Sequence, residues 1–171
     1  MADGMVPIDL WDYEATGTTD EGGQEVKELF GEPVFDNPKP TRLIRRILGL
    51  TDPTTPPNAT PEIVLDFFAG SGTTAHAVMA HNVSASSQRR YVLVQLPEPL
   101  DTDNKEQKTA AEFCDKLGKP RNIAELTKER LRRARKKIRE ENSQFAGDLG
   151  FRVFKLASSN IRAWEPDRET L

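Results

Sequence analysis

The stretch VLDFFAGSGTTAHAVM, from Val64 to Met79, constrains the fold of this chain more than any other part of it. A short apolar run closes on Asp66, passes through Gly70 and Gly72, and resumes as small and apolar residues at helical spacing. PEIVLDFF reads as a strand whose unbroken apolarity fits burial on both faces, as in a parallel sheet covered by helices. The helix after the glycines is predicted from about Thr73 to Met79 or a little beyond. Val83 to Arg90 then connects to a second strand, YVLVQL, which PEPL ends. Together they form a βαβ unit of ordinary size, with a right-handed crossover as the default. The fold class expected is α/β, with parallel strands flanked by helices.

Gly70, Gly72 and Ala75 spell G-x-G-x-x-A, the form of a dinucleotide fingerprint. Glycine permits positive φ and close approach of a ligand to the backbone. The helix that follows offers unpaired N–H groups to a negative or polar group. The spacing fits a bare strand-to-helix turn as well as a ligand loop. A P-loop is excluded, because no Gly-Lys-Ser/Thr follows. A dinucleotide site expects an acid about 20 residues past the glycines to grip a ribose. YVLVQL carries Gln95 there, and Glu98 stands beyond Pro97, which leaves the dinucleotide-binding module of an oxidoreductase as a minor alternative. Asp66 stands ahead of the glycines at the carboxyl edge of its strand. It can accept loop N–H bonds or bind an ammonium-bearing ligand.

The 171 residues suit one domain or a large piece of one. No run approaches the roughly 18 apolar residues of a membrane span, and no signal-peptide pattern opens the chain. The lone Cys114 excludes an internal disulfide framework and fits a cytoplasmic setting. With only His76 and His81 beside it, a structural zinc site is not expected, and both histidines read as surface or packing residues. Charge is uneven: Met1 to Asp36 carries ten acids and one lysine, whereas Lys119 to Arg139 carries ten basic residues against Glu125 and Glu129.

Residues 1–32 read as an irregular acidic leader with a helix-like piece from Gln24 to Phe30. Thr41 opens a helix that puts Leu43, Ile44, Ile47 and Leu48 on one face. TDPTTPPNATP is too rich in proline and threonine to be regular and reads as a surface loop. Helices are predicted from about Thr109 to Leu117 and through NIAELTKERLRRARKKIREEN. In the second of these, Ile123, Leu126, Leu131, Ala134 and Ile138 mark the core face. The basic residues of RLRRARKKIRE are then a solvated face, with Glu129–Arg133 and Lys137–Glu141 pairs, or a phosphate contact in a complete enzyme. Phe151 to Leu156 reads as a third strand, and residues 165–171 as a tail.

DFFAGSGTT resembles the first methyltransferase motif, the S-adenosylmethionine loop of amino-group DNA methyltransferases. FDNPKPTRLI, Phe35 to Ile44, is similar to the motif that precedes it in the beta-type order. RRYVLVQLPEP and GFRVFKLASSN look like later strands of type III restriction-modification Mod subunits and their adenine-specific relatives. The resemblance runs from about Leu10 to Trp164, so residues 33–164 would be the cofactor-binding part of a Rossmann-like methyltransferase domain. It implies that Asp66, Phe67, Ala69, Gly70, Ser71 and Gly72 line the cofactor loop, with Thr73 and Thr74 near the methionine carboxylate. It also implies that Asn37, Lys39 and Pro40 pack on the other side of the methionine portion. Gln95 falls at the ribose position and Pro97 at the adenine ring.

Methylating an exocyclic amine also requires acceptors that align the amine and an aromatic that stacks on the extruded base. The family uses a D/N/S-P-P-Y/F/W stretch, and none occurs here. Pro56 and Pro57 are flanked by Thr55 and Asn58. The resemblance therefore implies the S-adenosylmethionine-binding portion of a DNA adenine N6-methyltransferase, inactive in isolation and without a catalytic residue. Its partners would be double-stranded DNA, the catalytic half and a restriction subunit, with self-association of the isolated portion. A cytosine N4-methyltransferase portion and a non-catalytic scaffold domain are the alternatives.

Overall fold

The computed structural model describes residues 9–51 and 60–158. Most of the TDPTTPPNATP segment, Pro56 and Pro57 included, lies outside them, as do Trp164 and the tail. The elements are α1 (Tyr13–Thr16), α2 (Thr19–Phe30), α3 (Thr41–Leu50), β1 (Ile63–Asp66), α4 (Thr73–Ala85), β2 (Arg90–Leu93), α5 (Lys108–Lys116) and α6 (Ile123–Glu141). β1 and β2 pair in parallel, from Ile63 opposite Arg90 to Asp66 opposite Leu93. With α4 between them in sequence they form the expected βαβ unit. The chain is an α/β protein with a small parallel sheet flanked by helices, a partial Rossmann-like arrangement.

The helix-like piece expected from Gln24 to Phe30 is present as the second half of a longer helix from Thr19. With α1 ahead of it, the described part of the leader is more regular than expected. Thr18 caps α2 by accepting from the Glu21 N–H, and Gly31 ends it in the left-handed region at φ 85°. Gly22 and Gly23 lower the intrinsic helix propensity of this segment. Burial of Val26 and Phe30 overrides it, because both enter a core cluster with Val34, Leu100, Ala111, Phe113, Cys114 and Leu126. A second cluster joins Ala75 and Met79 of α4 to Leu131, Ala134 and Ile138 of α6, with Tyr91 and Leu93 of β2 against it. Helix α6 contributes to both clusters and is the post around which the chain is built.

Its charges explain the asymmetry seen in the sequence. Acids of α2 face bases of α6: Glu25 meets Arg130 at 3.3 Å and Glu28 meets Lys137 at 3.5 Å. Glu129 pairs with Arg133 at 2.7 Å, and Glu141 with Lys137 at 4.0 Å. Arg133 also lies over the Phe30 and Phe113 rings at 5.3 and 5.2 Å. Acidic leader and basic helix are thus packed on each other. Elsewhere, buried Arg89 closes the carboxyl end of α3 by donating to the Leu48 and Thr51 carbonyls, and pairs with Glu62 just before β1.

Two strand expectations are corrected. Phe151 to Leu156 forms no strand; among the described residues the sheet has β1 and β2 alone. Alternating apolar residues become a strand only where a neighbour offers ladder hydrogen bonds. Here Phe151 packs on the second cluster, while Phe154 and Leu156 stay exposed. Nor is β1 buried on both faces: Ile63 is 61% exposed, Leu65 50%, and Val92 of β2 48%. Among the described residues helices cover one side of the sheet, and the other side is left bare.

An apolar patch of this kind is unusual on a soluble monomer. The 171-residue chain is expected to self-associate with rising concentration in sedimentation velocity, and Leu65→Lys with Val92→Lys is expected to restore the monomer. A wild-type chain that stays monomeric throughout contradicts this expectation.

Candidate functional site

The turn between β1 and α4 is held by Asp66. One carboxylate oxygen accepts from the Phe68 N–H at 3.1 Å and the other from the Thr74 hydroxyl at 2.5 Å. Ala69 N–H donates to the Val94 carbonyl, and Gly70 N–H to the Gln95 amide oxygen at 2.7 Å. Gly70 and Gly72 take φ of 48° and 78°. At Gly72 a Cβ would stand 2.8 Å from Leu131 Cδ1 and 3.1 Å from Thr127 Cγ2, so space and backbone both require glycine. The Thr127 hydroxyl bonds the Gly70 carbonyl at 2.5 Å, seating the loop on α6.

The loop forms one wall of a cavity of about 450 Å³. Asp66, Ala69, Gly70, Ser71, Thr73 and Thr74 line it from one side, and Asn37 and Lys39 line it from the other. These two sequence-distant motifs also touch directly, because the Thr73 hydroxyl donates to the Lys39 carbonyl at 3.0 Å. Phe35, Phe68, Leu100 and Ile123 supply apolar surface to the same cavity. A mostly apolar wall with a few placed polar groups is the usual build of a small-molecule site.

Several expected residues stand apart from the cavity wall. Gly72 lies under the loop against α6, Pro40 precedes α3 as its cap, Phe67 is exposed, and Pro97 is exposed beyond β2. Both ends of the Gln95 amide are engaged within the protein, with the Gly70 N–H and the Leu96 carbonyl, so its visible role is to hold the turn. A carboxylate reaches the wall at Glu106 instead, beside Gln107 at the start of α5. Sequence reading missed this pair because they sit in a polar turn without a motif.

Arg130 was also missed. The sequence places it among the solvated bases of α6, but it is fully buried and donates to the Ser71 and Thr73 hydroxyls at 2.8 and 3.0 Å. The signal was present: Leu126, Arg130, Ala134 and Ile138 recur every fourth residue along the core stripe. Desolvation brings its guanidinium down to about 10, partly opposed by Glu25.

The histidines are packing residues rather than surface ones. His81 is buried and contacts Arg89 at 3.1 Å. His76 lies 3.5 Å from Arg130, and burial, then the positive charge of Arg130, lowers its pKa to about 3. Arginine only donates, so His76 accepts at Nδ1 and is neutral in the folded state. Unfolding restores the ordinary value near 6.5, so stability from this group is full above pH 6.5 and is lost as pH falls toward 3. Replacement by glutamine is expected to remove up to roughly 1.4 kcal/mol per pH unit of slope in that window, read by urea denaturation at several pH values. Parallel wild-type and His76→Gln profiles contradict this. Cys114 is buried and its thiol is pushed up by that burial, which fits packing rather than nucleophilic chemistry.

A parallel βαβ unit whose glycine turn faces a second motif across a cavity is a partial Rossmann-like arrangement. The chain belongs to the DNA methylase family: the family's N6/N4 methyltransferase model matches residues 2–93. It is 37% identical over 155 residues to the type III restriction-modification enzyme StyLTI Mod subunit of Salmonella typhimurium, covering 91% of this chain and 21% of that protein. It is 35% identical over 147 residues to the EcoPI Mod subunit of Escherichia phage P1, covering 86% and 20%. The type II methyltransferase M.KpnI of Klebsiella pneumoniae is 35% identical over 92 residues, 53% of this chain and 20% of that protein. The chain thus spans about a fifth of the length of these relatives.

Proposed function

We propose that this chain supplies the S-adenosylmethionine-holding part of a DNA adenine N6-methyltransferase of the type III modification kind. The observation that carries the reading is the single cavity walled by the Asp66–Thr74 loop on one side and Asn37 and Lys39 on the other. Its size and mixed lining fit a cofactor with a charged amino-acid end and a flat apolar ring. The amino-terminal N–H groups of α4 suit the carboxylate of that end. Phe35, Phe68, Leu100 and Ile123 suit the ring, and Glu106 has the chemistry to accept from ribose hydroxyls.

Bound S-adenosylmethionine would supply an electrophilic methyl group on a sulfonium. What this chain's residues do is bind and orient. None of the 171 residues forms the D-P-P-Y-type stretch that would align a base amine, so the chain alone is expected to hold the cofactor without transferring its methyl group. Double-stranded DNA, the segment that carries the catalytic stretch and a restriction subunit are the partners this reading requires. The cytoplasm is its compartment. The names of the Mod relatives support the type III assignment.

The test is calorimetric titration with S-adenosylmethionine and NAD, followed by radiolabel transfer to DNA. Saturable S-adenosylmethionine binding, no NAD binding and no transfer are expected. NAD binding would remove the cofactor assignment, and transfer by the chain alone would remove the division of labour.

A further inference from the structure

Arg130 makes contacts beyond what packing asks of it. It sits at full burial on the core stripe of α6, where its Nε has no partner among the described groups. One terminal nitrogen donates to both the Ser71 and Thr73 hydroxyls, and the other faces Glu25 at 3.3 Å. The Thr73 proton goes to the Lys39 carbonyl, which can only accept. Ser71 must then be the donor in its 2.9 Å contact with Thr73. The resulting chain runs from Arg130 through Ser71 and Thr73 to Lys39, and uses both hydroxyl protons inside the protein. An acceptor group of a ligand in the cavity therefore meets this part of the loop through backbone N–H groups, whose direction the chain fixes.

Glu25 completes a second branch. Its carboxylate accepts from the Thr41 N–H at 3.0 and 3.1 Å and from the Thr41 hydroxyl at 2.7 Å, one residue beyond Pro40. One ion pair, with Arg130 buried and Glu25 mostly so, thus grips the glycine loop and the end of the segment forming the opposite wall. Buried ion pairs are poor sources of stability, since apolar residues of similar volume often do as well or better. An unpartnered Nε at such a site points the same way.

We propose that Arg130 is a positioning residue, which with Glu25 sets the spacing and orientation of the two cavity walls around the amino-acid end of the cofactor. This rests on the S-adenosylmethionine reading of the cavity, but its first consequence is independent of any ligand.

The experiment compares the whole wild-type chain with Arg130→Met and Arg130→Lys by amide hydrogen exchange. Lysine keeps the charge and loses the fork that reaches Ser71, Thr73, Glu25 and His76 at once. Exchange of the 69–74 amides is expected to rise about tenfold in Arg130→Met, with Ala111 to Cys114 keeping wild-type protection and Arg130→Lys intermediate. Calorimetry then compares S-adenosylmethionine with 5′-methylthioadenosine, which lacks the amino-acid end. Loss of the anchor is expected to weaken the first about tenfold and the second less than about twofold. Unchanged loop exchange, exchange raised equally in loop and core, or equal weakening of both ligands overturns the proposal. If Arg130→Met does not fold, Arg130→Lys decides by the same comparison. If the wild-type chain binds neither ligand, the cofactor reading fails, and loop exchange alone still decides the role of Arg130.

Discussion

Gly22→Ala is expected to lower stability by about 2 kcal/mol or more, against the usual gain when alanine replaces a helical glycine. The reason is the crossing of α2 over the cavity-forming segment. A Cβ at Gly22 would stand 2.1 Å from the Pro38 carbonyl oxygen and within 2.9 Å of the Pro38 and Lys39 carbonyl carbons. These are backbone atoms and cannot swing aside. Displacing them moves the Lys39 carbonyl that anchors Thr73, so S-adenosylmethionine affinity is expected to fall about tenfold with stability. Gly23 is the control: nothing lies within 4 Å of its would-be Cβ, and Gly23→Ala is expected to stabilise by roughly 0.5–1 kcal/mol. Urea denaturation of the two variants checks the pair. Equal effects of the same sign contradict the close crossing.

Asp66→Ala is expected to have the largest effect on cofactor binding. It removes the acceptors of the Phe68 N–H and the Thr74 hydroxyl and leaves the turn before α4 without its brace. Hydrogen bonds to a charged group are each worth about 1.5–3 kcal/mol, so losing both is expected to weaken S-adenosylmethionine binding by about 100-fold or more. Thr74→Ser keeps the hydroxyl and is expected to bind close to wild type, whereas Thr74→Val is expected to lose about tenfold. Calorimetry reads all three. Wild-type affinity in Asp66→Ala contradicts a bracing role for this carboxylate.

The βαβ unit and its glycine turn were legible because strand, glycines and helix are adjacent in sequence and each follows local rules. Helix α6 was legible from the spacing of Leu131, Ala134 and Ile138. Helix α2 was legible only in its second half, Gln24 to Phe30. Gly22 and Gly23 oppose its first turns locally, and only the distant Phe113 and Leu126 reward burying Val26 and Phe30. The two-sided burial expected of β1 and the strand expected at Phe151 to Leu156 fail for one shared reason. Apolarity and alternation record what a segment could pack against, while burial and pairing depend on which neighbours this chain provides. At the site, the loop and FDNPKP were each readable, and the resemblance implied that they lie on opposite sides of one ligand, but their direct contact through Thr73 and Lys39 was legible in neither. Gln95 shows the opposite limit. Its position follows from strand length, but what its amide bonds depends on the fold of the loop beside it.

The central claim is that S-adenosylmethionine sits between the glycine loop and the Asn37–Lys39 segment. The most direct measurement is amide chemical-shift mapping of the isotope-labelled chain on addition of S-adenosylmethionine. Shifts are predicted at residues 69–74, 37 and 39, and at Glu106 and Gln107, saturating together. Shifts confined to the bare sheet face, or none at saturating cofactor, would contradict it.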